Sequence, residues 1–86
     1  MPLYTFITTY EDWETIKQYL SPSLEEATLA WTQEVRRLAG EDYMEEDMSL
    51  PENIPVPIKE TENVFGITVS TVKSIAHAFV VVTRQD

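Results

Sequence analysis

Pro51, Pro55 and Pro57 fall close together in the middle of the chain and constrain its fold more than any other feature. Proline fixes φ and has no amide donor, so this stretch interrupts both helices and interior strands. An extended connection is expected between Leu50 and Ile58, and any core has to be assembled from the blocks on either side. The same region concentrates the charge. Residues 41–62 hold eight acids (Glu41, Asp42, Glu45, Glu46, Asp47, Glu52, Glu60 and Glu62) against Lys59 alone, for −7 of the formal −9. Tyr43, Met44, Met48 and Leu50 lie among those acids, which argues that the segment touches the core or a partner, and a one-turn helix over Asp42–Met48 is open to it.

The flanking blocks read as folded protein. The chain has 86 residues, of which 43% are hydrophobic, enough for a single domain spanning 1–86 with the acidic connection at 41–57. Leu3 to Thr8 is rich in β-branched and aromatic residues and reads as a strand. Thr9 and Asp12 then make an acidic variant of a capping box, and Tyr10, Trp13, Ile16 and Leu20 recur at helical spacing. That pattern predicts a first helix, stopped by Ser21-Pro22. Ser23 and Glu26 make a second capping box. Leu24, Ala27, Thr28, Trp31, Val35 and Leu38 follow on one helical stripe, with Arg36 and Arg37 at the negative end and Gly40 as the stop. Both tryptophans fall on these stripes and are expected in the core.

Residues 64–83 admit two readings. In one, Val64–Val72 and Ala76–Thr83 are antiparallel strands turning near Lys73-Ser74, with Phe65, Ile67 and Val69 on the buried face and Thr68 and Ser70 on the wet one. In the other, residues 65–75 resemble the turn and recognition helix of a helix-turn-helix motif, through Phe65, Gly66, Ile67, Thr71, Val72 and Ile75. Glu62 falls where that motif wants a small buried residue, and β-branched residues disfavour helix. The strand pair is preferred. The expected fold is therefore α+β in the order β-α-α-β-β, with two helices on one face of a small antiparallel sheet of about three strands. Ala76–Val82 is apolar on both faces, so its strand should be central and covered on both sides. Two helices cover one face. The other requires the 41–57 segment, a second copy or a partner, which makes a homo-oligomer a possible outcome.

Chemistry is limited by what the sequence lacks. There is no cysteine, so disulfides, thiolate nucleophiles and thiolate zinc sites are excluded. With glycine only at 40 and 66, neither a phosphate-cradling loop nor a Gly-x-Ser-x-Gly elbow can be built. His77 is the one histidine, and it reads as a partly buried structural residue on the face of Phe79 and Val81. The acidic run lacks the alternating ligands and turn glycine of an EF-hand, so no metal site is expected. Neither an enzyme nor a cofactor is expected. Lys and Arg total six, too few for direct binding of nucleic acid or anionic membrane. The start, Met1-Pro2-Leu3-Tyr4, is unlike a signal peptide, and the apolar run Ala78–Val82 falls far short of the roughly 20 residues of a spanning helix. A cytoplasmic protein is expected.

Carboxylates fixed along a fold can imitate nucleic-acid phosphates and compete for a partner's Lys/Arg groove. Glu41, Asp42, Glu45, Glu46 and Asp47 are the candidate contacts, with Tyr43 as an interface anchor. A solvated acidic loop is the structural alternative. In size and charge the chain resembles the small acidic inhibitors of phages and mobile elements, including anti-CRISPR proteins and DNA mimics. That resemblance implies an inhibitor or adaptor docking on a basic, nucleic-acid-handling protein. A helix-turn-helix regulator using residues 65–75, and a structural subunit docking through an uncovered sheet face, are the alternatives.

Overall fold

The computed structural model describes residues 1–42 and 55–83. In chain order they form strands β1 (Leu3–Tyr10) and β2 (Trp13–Leu20), helix α1 (Leu24–Ala39), a 3-10 turn (Gly40–Asp42), and strands β3 (Val56–Pro57), β4 (Val64–Ser70) and β5 (Ile75–Thr83). The strands make one antiparallel sheet in the order β2-β1-β5-β4-β3. This corrects the expected fold: among the described residues the sheet has five strands rather than about three, and there is one α-helix rather than two, in the order β-β-α-β-β-β.

The correction falls on residues 10–20. Tyr10, Trp13, Ile16 and Leu20 have helical spacing, yet the segment is a hairpin arm, paired from Tyr10↔Trp13 through Leu3↔Leu20. The connection is only Glu11-Asp12, with Glu11 at φ +52°, a left-handed conformation usually left to glycine or asparagine. Without that turn signature the apolar spacing looked helical. The strand exposes a further error: Trp13 is 62% exposed rather than in the core.

A second correction is β3. Proline is tolerated at a sheet edge, where its missing N–H removes no interior ladder bond, and Val56-Pro57 pairs with Gly66 and Phe65 of β4. The remaining elements match the reading of the sequence. The side chain of Ser23 caps α1 by accepting the Glu26 N–H at 3.2 Å. Gly40 ends the helix at φ +57°, its N–H donating to the Arg36 carbonyl. β4 and β5 form the anticipated pair, with Ile67 and Val69 buried and Thr68 and Ser70 exposed. Residues 65–75 hence supply a strand and a turn, and the recognition helix that a helix-turn-helix requires is not formed there.

The core lies between α1 and one face of the sheet. Trp31 is fully buried and stacks on Phe6 at 5.5 Å, and Tyr19 meets Phe6 edge-on at 5.6 Å. The indole N–H donates to Thr8 Oγ1 at 2.9 Å, so the one polar atom of that ring is satisfied inside the core. Ala76, Ala78 and Val80 of β5 are fully enclosed on this face. At the end of the sheet, the Thr71 hydroxyl donates to the Ser74 carbonyl at 2.9 Å, which leaves Tyr10 Oη as donor to Thr71. The β4–β5 turn is thereby fastened to the end of β1.

Candidate functional site

The period-two alternation of a strand decides what the second face of the sheet presents. Placing Tyr4, Phe6, Thr8 and Tyr10 under α1 puts Leu3, Thr5, Ile7 and Thr9 on the other side. Following the registers outward, Ile16, Ile7, Phe79, Gly66 and Val56 stand side by side, one from each of the five strands. Ile16, Phe79 and Val56 are 64%, 44% and 58% exposed. The next row continues it with Val64 beside Val81, while at its other end Gln18 donates to Thr5 Oγ1 at 3.1 Å, and Leu20 beside Leu3 lies one row further. At Gly66 a Cβ would come within 3.1 Å of Ile58 Cδ1, so that side chain lies over the glycine and extends the surface at its β3 end.

β5 is central, as expected, and among the described residues α1 covers one face of the sheet. The 41–57 segment, a second copy or a partner, any of which is expected over the other face, lies wholly or mostly outside the described residues. The hairpin enlarges that face: with residues 13–20 in a strand, the described residues offer more sheet to cover and a single helix to cover it. Among the described residues the titratable side chains of the open face are Glu14 and His77, which share a row with Thr9 and Thr68 near the β1–β2 turn. His77 is half-buried and meets Phe79 edge-on at 4.8 Å, the placement expected for a packing histidine.

The face opposite carries an ionic cluster that sequence reading missed. Glu34 of α1 is buried, and its carboxylate takes Lys17 Nζ at 3.5 Å and the Arg37 guanidinium, Nη2 at 2.5 Å and Nε at 2.6 Å. Both carboxylate oxygens are occupied, and both cations reach solvent, so the cluster fastens α1 to the outer strand β2. The i,i+3 spacing of Glu34 and Arg37 is visible in the sequence; the partner on β2 is not, because the helical spacing of residues 10–20 puts Lys17 on a helix.

Burial, and secondarily the charge of Glu34, raise the pKa of Tyr19 above its ordinary 10.0. Above pH 10 an unfolded chain loses this proton while the folded chain keeps it, so the unfolded state binds fewer protons and stability falls as pH rises. Urea midpoints measured from pH 9 to 11 should therefore drop, and drop less in Tyr19→Phe. Equal pH dependence in the two proteins would count against this assignment.

Of the acidic contacts anticipated from sequence, Glu41 is exposed in the 3-10 turn and Asp42 closes that turn. Tyr43, Glu45, Glu46 and Asp47 lie outside the described residues, as does most of the possible helix at 42–48. Every described acid other than Glu34 is exposed, provided Asp42 is set aside. Among the described residues no group of three or more His, Cys, Asp or Glu side chains is placed to hold a metal ion, and no helix is long and apolar enough to cross a membrane. No family model matches the chain, and neither a curated protein nor a solved structure is similar to it.

Proposed function

We propose that this chain is a non-enzymatic, cytoplasmic interaction protein, an inhibitor or adaptor whose carboxylates dock on a basic partner that handles nucleic acid. The observation that carries the reading is the distribution of charge. Residues 41–62 hold −7 of the −9, and their described carboxylates Glu41, Glu60 and Glu62 are exposed. The buried acid Glu34 meanwhile engages Lys17 and Arg37, two of the six bases, leaving few cations to balance the surface. Such a field speeds encounter with a positive groove and gives a complex that salt weakens. The absence of cysteine suits a reducing compartment.

The test is affinity capture from nuclease-treated lysate of the source cell, eluted with a salt gradient. A parallel bait carries Glu41, Glu45 and Glu46 changed to Gln and Asp42 and Asp47 changed to Asn. The expected result is a basic nucleic-acid-binding protein released at moderate salt from the native bait and missing from the neutralised one. Equal capture by both baits would refute the reading and identify the charge as solvation. The structural-subunit reading draws on a different observation, the open apolar face, and would appear as a partner indifferent to salt.

A further inference from the structure

We infer that the open face of the sheet is the interface of a symmetric dimer, occupied by the same face of a second copy of this chain. The inference does not depend on the acidic docking proposed above. Exposed apolar surface of this extent marks an interaction site, and two features of the face specify the occupant. The first is charge. In a chain of net charge −9, this face carries only Glu14 and His77 among the described residues, both in one row at its end. A basic partner finds almost nothing to pair with here. A second copy, which carries the same net charge, finds here a broad face on which Glu14 is the one carboxylate among the described residues.

The second feature is size. Four strands of seven to nine residues, about 4.8 Å apart and about 25 Å long, give a footprint of about 500 Å² per copy. The pair buries about 1,000 Å² before side-chain relief is counted, which meets the threshold of about 1,000 Å² for a specific interface. Phe79 stands third of five in the row Ile16, Ile7, Phe79, Gly66, Val56. A two-fold axis near it lets the two rows cross as the layers of a β-sandwich, about 10 Å apart.

Sedimentation equilibrium on the full chain across a range of concentration and NaCl tests this. A dimer is expected whose association strengthens with salt, because salt screens repulsion between the copies and leaves apolar burial untouched. This is the opposite sign to the salt dependence of carboxylate docking, so the two proposals fail separately. Phe79→Lys should raise the dimer Kd by about 100-fold or more, since it buries an unpaired ammonium. The added positive charge itself lowers the repulsion, so the loss cannot be a net-charge effect. Ile16→Lys should act in the same direction, and Leu29→Lys, on the exposed side of α1, should leave the dimer intact. Circular dichroism establishes that each variant is folded, and a misfolded Phe79 variant leaves Ile16→Lys and the salt dependence to decide. A chain monomeric at every concentration overturns the inference. A dimer that weakens with salt also overturns it. So does a dimer that survives in folded Phe79→Lys, two strands in from β2, because pairing along the β2 edge would then hold it.

Discussion

Trp31→Ala is expected to destabilise the fold by about 3–5 kcal/mol, a large share of its total stability, and to lower its urea midpoint sharply. Trp31 is fully buried, stacked on Phe6, and bonded to Thr8 through its N–H. Removing an aromatic side chain from such a site costs about 3–5 kcal/mol. An 86-residue chain has a total stability of about 4–13 kcal/mol at the usual per-residue range. The deletion also leaves the Thr8 hydroxyl without the donor it faces, and strips Phe6 of one of its two aromatic neighbours. Trp31→Phe separates the terms: it keeps a ring on Phe6 and loses the hydrogen bond, for a cost of about 1–3 kcal/mol. Urea denaturation followed by circular dichroism measures both. A midpoint in Trp31→Ala equal to that of the native chain would contradict the packing described.

Ala78→Leu should destabilise by about 3 kcal/mol although it adds apolar surface. Ala78 is fully enclosed and pairs directly with Thr8, the residue that accepts the indole N–H. Three extra carbons at that position need space that the helix side of the sheet does not have, and overpacking of this kind costs about 1–3 kcal/mol. The upper end is expected because the displaced side chain would be Trp31 or Thr8, so strain and hydrogen-bond loss coincide. The same substitution at Ala30, half-buried on α1, should change stability little. If Ala78→Leu proved neutral or stabilising, the layer between helix and sheet would have to contain a void.

What was legible in the sequence tracks how local its cause is. The cap at Ser23, the stripe from Leu24 to Leu38 and the stop at Gly40 are decided within α1, and all were readable. So was the alternation of Phe65, Ile67 and Val69, and the two-sided apolarity that placed β5 at the centre. The hairpin arm β2 was not, because its turn is built from Glu11-Asp12, and because Tyr10, Trp13, Ile16 and Leu20 satisfy a helical period by coincidence. Period-two alternation was present in Thr15, Lys17 and Tyr19 facing α1, but this becomes visible only once β1 supplies the register. β3 was hidden for the converse reason: its prolines argue against a strand anywhere except at the edge, and edge position is a tertiary fact. For function, a second sheet face in need of cover was legible in the two-sided apolarity of Ala76–Val82, whereas Glu34 with Lys17 joins elements whose proximity no local pattern encodes.

The strand order has a kinetic consequence. β1 and β5 are neighbours at the middle of the sheet, pairing Leu3 with Thr83 and Thr9 with His77, although they are the first and last strands in sequence. The β2–β1 hairpin and the β4–β5 hairpin can each form locally in microseconds, yet a lone hairpin is marginal in water. Among the described residues the strands of the two halves pair only along the β1–β5 seam. Closing that seam brings together nearly the whole described chain, at an entropic cost that must be met before the ladder and the layer beneath Trp31 return anything. High contact order of this sort places folding in the slower range for domains of this size, with the meeting of first and last strands as its committing event.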